Sequence, residues 1–228
     1  MEPKKHYLSV KRSARYFTLG HLSERIREIW ILFHGYGQLA DQFLNHCHGL
    51  LREDRFLVAP EGLSRFYQRK GRESQSIGAS WMTKEERLIE ISDYLQMIEQ
   101  IVDRIRVMPA QPDCRLMGLG FSQGTATLTR WALWSKHPMD ALVLYGGDFA
   151  YDIDLQELGE KLPEHRCYLI AGDQDPFMGH ERFAKMCNKV EQCRLAYDEI
   201  HYQGAHEIHT DALATLSELT DYYHSLRD

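Results

Sequence analysis

The sequence has no long apolar run and no apolar leader. Within its 228 residues, no stretch approaches the roughly 18 consecutive apolar residues that a membrane-spanning helix needs. The segment from Met1 to Gly20 lacks the apolar core of a secretory signal. These absences argue against a membrane-spanning or secreted protein, and we expect a soluble, cytoplasmic one.

Cysteine is scarce, and its number is odd. The five cysteines are Cys47, Cys114, Cys167, Cys187 and Cys193, and no two of them have CxxC spacing. A small secreted domain held together by disulfides would carry more cysteines, in an even number. The sequence therefore predicts reduced thiols in a reducing compartment.

Positive charge is also in short supply. The chain has 27 Lys and Arg against 33 Asp and Glu, a formal net charge of -6. Nucleic-acid-binding proteins usually carry a basic excess that neutralises phosphates, so we expect no nucleic-acid partner. Apolar residues at 43% and charged residues at 26% are ordinary for a globular protein. Because no repeat, low-complexity tract or linker interrupts the chain, we predict one domain over residues 1–228.

Short apolar runs alternate with amphipathic segments along most of the chain. Strands are predicted at Tyr7–Val10, Tyr16–Leu19, Ile29–Phe33, Phe56–Ala59, Arg115–Gly120, Ala141–Tyr145, Cys167–Ala171 and Ala196–Ile200. Helices are predicted at Gln38–Leu51, Thr83–Val107, Gln123–Lys136, Gly179–Val190 and Ile208–Leu226. This alternation predicts an α/β fold, with a mostly parallel sheet and helices on both faces.

Three local features refine this prediction. The first two strands would form a hairpin that adds antiparallel edge strands. The polar stretch Glu61–Ser80 is predicted to be a loop. Thr83 and Glu86 have the spacing of a capping box at the start of the longest helix, and Pro109 and Pro112 lie beyond its end.

The sharpest motif is Gly120-Phe121-Ser122-Gln123-Gly124, which fits G-x-S-x-G between a strand and a helix. Such a tight turn holds the serine hydroxyl at the carboxyl edge of the sheet, near a helix N-terminus that favours developing negative charge. A glycine-rich turn with a capping serine would be the non-catalytic interpretation. The strand and helix on either side favour Ser122 as a nucleophile.

A serine nucleophile needs an orienting acid and a base, and after a G-x-S-x-G turn they follow it along the chain in that order, acid before base. Asp173 and Asp175 follow one predicted strand, and His206 follows the next, between a glycine and a helix. Both loops lie where an open α/β sheet places its ligand crevice. We predict His206 as the base, with His201 and His209 as alternatives, and prefer Asp175 as the acid. Asp173 and Asp148 remain open as the acid.

Acyl transfer also needs backbone N–H groups aimed at the tetrahedral oxyanion. One is expected from Gln123, directly after the nucleophile. The other is expected from Tyr36, in the His34-Gly35-Tyr36-Gly37 loop that follows an early strand. His34 itself is predicted to be structural, packing under this loop.

Assembled in order, these segments resemble the phospholipase/carboxylesterase family, which includes the acyl-protein thioesterases. The segments that carry the resemblance are His34 to Gly37, Gly120 to Gly124, Gly172 to Pro176 and Gly204 to His206. The resemblance spans nearly the whole chain and implies an α/β-hydrolase fold without a large cap domain. It supports Asp175 over Asp173, because the family's acid directly precedes this proline.

The chain departs from the family pattern at Trp81-Met82-Thr83, at Thr125 and at Phe177-Met178. These departures lie where the substrate pocket is expected, so the sequence does not predict the acyl length or the leaving group. We expect the pocket walls to come from Trp81, Phe149, Phe177 and Met178.

Other candidate sites are weaker. His46-Cys47-His48 and the cluster of His201, His206 and His209 do not complete a recognised zinc pattern, so we predict no metal and no cofactor. The basic run of Arg65, Arg69, Lys70 and Arg72 is expected to be a solvated loop.

The sequence thus predicts a serine hydrolase that cleaves carboxylic esters or thioesters through an acyl-enzyme. Its partner would be a small-molecule or lipid-like acyl substrate, and the oligomeric state stays open, a homodimer included. A non-catalytic binding protein and a peptidase or other amide hydrolase on the same fold are the alternatives.

Overall fold

The computed structural model describes residues 2–70, 74–107, 114–162 and 166–225. Its strands are β1 (Tyr16–Leu19), β2 (Glu28–Phe33), β3 (Arg55–Pro60), β4 (Ser64–Lys70), β5 (Ser74–Ser80), β6 (Arg115–Phe121), β7 (Ala141–Tyr145), β8 (Arg166–Gly172) and β9 (Ala196–Tyr202). Its helices are α1 (Ala40–His46), α2 (Arg87–Arg106), α3 (Gln123–Trp134), α4 (Leu155–Lys161), α5 (His180–Gln192) and α6 (Thr210–Ser225), and a short 3₁₀ helix at Cys47–Leu50 follows α1.

Seven strands form one sheet in the order β1-β3-β2-β6-β7-β8-β9. Strand β1 pairs antiparallel with β3, and every other pairing in this sheet is parallel. The predicted mostly parallel α/β sheet is therefore confirmed. Parallel strands bring their carboxyl ends to one edge, and the loops that carry the predicted site residues all leave from that edge.

Successive side chains of the buried strands enter two separate cores, one on each face of the sheet. In β2, Ile29, Ile31 and Phe33 join the core beneath α2, α3 and α5. Trp30 and Leu32 join the core beneath α1 and α6. Because each face is covered by helices, these strands read as continuous apolar runs rather than as alternating ones.

The final helix, α6, begins just after the His206 loop. Its later turns are anchored to the amino-terminal ends of β2 and β3. The buried guanidinium of Arg55 lies 2.8 Å from Glu28 and 2.7 Å from Asp221 of α6. The same group donates to the Ser217 hydroxyl at 2.5 Å. These contacts fix the helix that follows the His206 loop.

Three local predictions were wrong. Tyr7–Val10 is not a strand, because no edge of the sheet pairs with it; Tyr7 instead donates to Glu86 of the α2 N-terminus. The expected loop at Glu61–Ser80 contains an antiparallel β4–β5 hairpin. Thr83 and Glu86 make no capping box, since α2 begins later, at Arg87, and the Thr83 N–H donates to Glu90.

The described chain carries no large cap over the sheet. Between β7 and β8 its one regular element is α4, seven residues long. In the ranges given above, no helix combines the length and the apolar content that crossing a bilayer requires.

Candidate active site

Ser122 occupies the sharp turn between β6 and α3. Its backbone has φ 54° and ψ −116°, a left-handed conformation that non-glycine residues rarely adopt. Two glycines make the turn possible. A Cβ on Gly120 would lie 2.4 Å from the Gly124 carbonyl oxygen, and a Cβ on Gly124 would lie 2.0 Å from that of Phe33. The Ser122 side chain is thereby held at the carboxyl edge of the sheet.

Asp175 and His206 meet at the ends of β8 and β9. Oδ2 of Asp175 lies 2.7 Å from Nδ1 of His206. The other carboxylate oxygen accepts the N–H groups of Phe177 at 2.7 Å and Met178 at 3.1 Å. Because the carboxylate accepts, Nδ1 carries the hydrogen, and Nε2 is left as the acceptor that a general base needs.

The other candidate acids have different partners. Asp173 accepts the Gly204 N–H at 2.9 Å, and so ties the acid loop to the loop that carries His206. Asp148 lies 2.6 Å from the ammonium group of Lys189. The structure therefore brings Asp175, rather than either alternative, to His206.

His206 is held on several sides. Its ring packs against the buried ring of Phe121 and the exposed ring of Phe177, with centroid separations of 4.8 Å in both pairs. The Tyr202 hydroxyl lies 2.8 Å from the Ala205 carbonyl oxygen and 2.7 Å from that of Glu207, the two residues that flank His206. This contact fixes the turn that presents the imidazole.

The alternative bases lie apart from Asp175. His201 is exposed and contacts Glu199 at 3.2 Å, while His209 stacks on Tyr202. Ser122 directly follows Phe121, whose ring lies against His206. Within the described ranges the Ser122 hydroxyl makes no hydrogen bond, and in ligand-free hydrolases the serine–histidine contact often forms only when substrate binds.

The loop that follows β2 approaches the nucleophile. A Cβ on Gly35 would lie 3.3 Å from the Ser122 Cβ. The Tyr36 N–H donates to no backbone carbonyl in the described chain. The Gln123 N–H opens α3, where the first N–H groups have no partner within the helix. Two backbone donors are therefore available near Ser122.

His34 supports this loop from below. It is fully buried; its Nε2 accepts the Gly62 N–H at 3.0 Å, and its Nδ1 lies 2.8 Å from the Gly35 carbonyl oxygen. Burial lowers the pKa of His34 to about 4, so the ring is neutral at pH 7. A neutral ring with Nε2 as acceptor has its hydrogen on Nδ1, where it donates to Gly35.

The β4–β5 hairpin, which the sequence did not predict, packs against the same loop. The Gly37 N–H donates to the Ala79 carbonyl at 2.8 Å, and the Gln68 side-chain amide donates to the Gly37 carbonyl at 2.9 Å. The ring of Phe66 packs on that of Tyr36. The hairpin thus fixes Gly37 and the Tyr36 side chain, next to the Tyr36 N–H.

The side chain of Gln123 has a second role that sequence reasoning missed. Its carbonyl oxygen accepts the Trp81 N–H at 3.2 Å, and its amide donates to the Met82 carbonyl at 3.1 Å. The Trp81 indole in turn donates to the His34 carbonyl at 2.8 Å. The elbow and the Tyr36 loop are therefore joined through Trp81. The sequence feature that could have indicated this role is the polar side chain of Gln123 within the G-x-S-x-G motif.

Three of the four expected pocket walls are buried. Trp81 is 1% exposed, stacked on His34, while Phe149 and Met178 are each 4% exposed and belong to the core beneath α3 and α5. Because packing takes up their surfaces, these three side chains are not free to contact a substrate, and the prediction that they form the pocket walls is corrected. Phe177 is 58% exposed and lies beside His206.

The candidate metal-binding segments and the basic run do not come together as a site in the described structure. Over the described ranges, no three His, Cys, Asp or Glu side chains are grouped as a metal site requires. Cys47 of the His46-Cys47-His48 segment is buried. Arg65 of the basic run contacts Glu61 at 3.0 Å, so it is not simply solvated. The side chains of Arg69 and Lys70, and all of Arg72, lie outside the described part.

Comparison with known proteins matches a family model to most of the chain. A model of the phospholipase/carboxylesterase family matches residues 21–224. A search of curated protein sequences gives no significant match.

Solved structures share the fold. A carboxylesterase from Mesorhizobium loti aligns with a TM-score of 0.69 at 18% identity, over 91% of this chain and 94% of its own. Acyl-protein thioesterase 2 from Zea mays aligns with a TM-score of 0.68 at 11% identity, over 92% and 99%. A Bacillus cereus carboxylesterase aligns with a TM-score of 0.65 at 13% identity, over 92% and 94%.

Proposed function

Because this chain belongs to the phospholipase/carboxylesterase family of α/β hydrolases, we propose that it is a serine hydrolase that cleaves carboxylic esters or thioesters through an acyl-enzyme. The observation that carries the proposal is the Asp175–His206 pair at 2.7 Å, packed on Phe121, the residue that precedes a serine at φ 54°. A buried carboxylate that fixes the Nδ1–H of an imidazole next to a strained serine serves proton transfer from that serine.

In the first half of the reaction, Ser122 Oγ attacks the acyl carbon and its proton passes to Nε2 of His206. The carbonyl oxygen becomes an oxyanion, which the N–H groups of Tyr36 and Gln123 stabilise. The imidazolium is paired with Asp175 at this stage. Collapse of the intermediate breaks the bond to the leaving oxygen or sulfur, which takes the proton from His206.

In the second half, water attacks the acyl-enzyme. His206 accepts a proton from this water and returns it to Ser122 Oγ as the acyl–serine bond breaks. The free acid leaves, and the enzyme regains its starting protonation. Every catalytic group in both halves is a side chain or backbone N–H of this chain, so we propose no metal or cofactor and expect turnover to survive EDTA.

The substrate is proposed to be a small-molecule or lipid-like acyl ester or thioester. The site is open, because the Tyr36 side chain is 60% exposed at its edge and Phe177 flanks the base. Of the four residues expected to contact the substrate, Phe177 has the exposed surface to do so. We propose that the protein acts in the cytoplasm and folds as one domain. Whether it forms a homodimer can be measured by size-exclusion chromatography.

A fluorophosphonate probe tests the nucleophile. The wild-type protein should take up one probe per chain, on the peptide that contains Ser122. Ser122→Ala should take up none, and its ester turnover should fall by several orders of magnitude, about 10⁶-fold by analogy with another serine hydrolase. Ser92→Ala, at an exposed serine on α2, is a matched control that should label normally.

Three outcomes would overturn the proposal. A wild-type protein that neither labels nor turns over any member of a p-nitrophenyl ester and acyl-thioester panel would be a binding protein on this fold. Undiminished labelling of Ser122→Ala would place the nucleophile elsewhere. Turnover of amides in preference to esters would reassign the protein as an amide hydrolase.

A further inference from the structure

Phe177 is an exposed aromatic side chain on a fixed backbone. Its N–H donates to Oδ1 of Asp175 at 2.7 Å, and its carbonyl accepts from the Arg182 guanidinium at 2.8 Å. The ring is nevertheless 58% exposed. An aromatic ring held in place and left accessible offers a large apolar contact at little cost in conformational entropy.

The ring lies on a particular side of the reaction centre. It meets the imidazole of His206 with centroids 4.8 Å apart and an interplanar angle of 64°. The Tyr36 N–H, on the loop after β2, marks the place of the oxyanion instead. Among the described residues, the Phe177 ring therefore packs on the base, whereas the ring of Tyr36 packs on Phe66.

The chemistry of the second proton transfer assigns that side to the leaving group. His206 delivers its proton to the oxygen or sulfur that departs, so this atom must come within hydrogen-bond reach of Nε2. The group attached to it then passes alongside the ring that covers the imidazole. The acyl chain extends from the carbonyl carbon, away from the proton donor.

We infer that Phe177 is a specificity-determining residue that binds the alcohol or thiol portion of the substrate, and that this portion is apolar or aromatic next to the scissile bond. The inference rests on the proposed serine-hydrolase function and adds the substrate's leaving-group class to it. Burying the exposed ring against such a group removes apolar surface from water, which favours these substrates.

Two isomeric esters separate the sides of the substrate. In 2-phenylethyl acetate the phenyl ring is on the leaving group, and in methyl 3-phenylpropanoate it is on the acyl group. The two have the same composition and unactivated alkoxide leaving groups. The measured quantity is the ratio of their kcat/KM values, in the wild-type protein and in Phe177→Ala.

The wild-type protein should prefer 2-phenylethyl acetate, and Phe177→Ala should shift the ratio about tenfold toward the acyl-side isomer. Phe177→Leu, which keeps apolar bulk, should restore part of the preference. Trp134→Ala is the matched control, because this half-exposed aromatic lies at the far end of α3, roughly 18 Å of helix from the elbow. It should leave the ratio unchanged.

The outcomes separate this inference from the proposed function. If the wild-type protein binds the fluorophosphonate probe and Phe177→Ala leaves the ratio as it was, or shifts it the other way, the leaving-group assignment is wrong and the hydrolase assignment stands. Probe labelling without cleavage of 2-phenylethyl acetate also overturns the leaving-group assignment. Absence of both labelling and turnover overturns the proposed function itself.

Discussion

Asp175 receives the Nδ1–H of His206 at 2.7 Å, and its second oxygen is occupied by two backbone N–H groups. Both oxygens of the carboxylate are therefore fixed, one toward the base and one toward its own turn. Asp148, the alternative acid after β7, is paired with Lys189. These contacts make the acid assignment testable by substitution.

We expect Asp175→Asn to lower kcat by on the order of 10²–10⁴, because the amide removes the charge that pairs with the imidazolium and can stabilise the wrong tautomer. Asp148→Asn, which removes a charge of the same size nearby, should cost much less. Steady-state kinetics on one p-nitrophenyl ester measures both variants. A crippled Asp148→Asn beside a nearly normal Asp175→Asn would move the acid to the loop after β7.

Asp173 should act through the His206 loop, since its carboxylate accepts the Gly204 N–H at 2.9 Å. Asp173→Ala removes this acceptor, and we expect kcat to fall by about tenfold as the loop loosens. Asp173→Asn keeps a carbonyl oxygen in place and should retain most of the activity. Equal losses in the two variants would show that the charge, and not the hydrogen bond, matters.

His34 should make the folded protein sensitive to mild acid. Its pKa is lowered to about 4 by burial, whereas an unfolded histidine titrates near about 6.5. Between these values the unfolded chain binds a proton that the folded chain does not, so the free energy of unfolding falls as the pH falls through this window.

Urea unfolding at about pH 7.5 and about pH 5 measures this effect. In His34→Gln, the loss of stability between the two conditions should be smaller by ~2 kcal/mol than in the wild-type protein. His48→Gln, at an exposed histidine, is the control and should behave like the wild type. An unchanged pH dependence in His34→Gln would contradict the neutral, buried state of this ring.

Gln68 should support the oxyanion donor on Tyr36, because its side-chain amide holds the neighbouring Gly37 carbonyl at 2.9 Å. Gln68→Leu leaves this carbonyl without its donor, and we expect kcat to fall by about tenfold with little change in KM. Tyr67→Leu, at an exposed residue beside it on β4, is the control. An effect on KM alone would indicate a substrate contact.

The central strands and the order of the site loops could be predicted from the sequence because both signals are local. Buried parallel strands such as β2 and β7 are continuous apolar runs, and the elbow is a fixed motif between a strand and a helix. The proposed order of nucleophile, acid and base then follows the order typical of the fold, and the proline after Asp175, through the family resemblance, favoured that residue as the acid. The confirmed elements are those that are determined by interactions and patterns within a few neighbouring residues.

What the sequence missed depends on partners far along the chain. The β4–β5 hairpin is polar, and it is held by cross-strand pairing and by contacts with Tyr36 and Gly37 some thirty residues earlier. Trp81 was predicted to be a pocket wall. Its indole instead donates to the His34 carbonyl, 47 positions away, and a local sequence pattern does not show such a distant partner. Tyr7–Val10 has strand-forming residues but pairs with neither edge strand of the sheet, β1 or β9. Composition alone carries none of these relationships.

The left-handed backbone of Ser122 has a consequence for attempts to make this protein more heat-resistant. A glycine would adopt φ 54° with less strain, and residues held in such conformations typically cost of order 1–3 kcal/mol. Selection for thermal resistance alone would therefore tend to replace the proposed nucleophile. A thermostability screen on this chain should score turnover together with melting temperature, or else hold position 122 fixed.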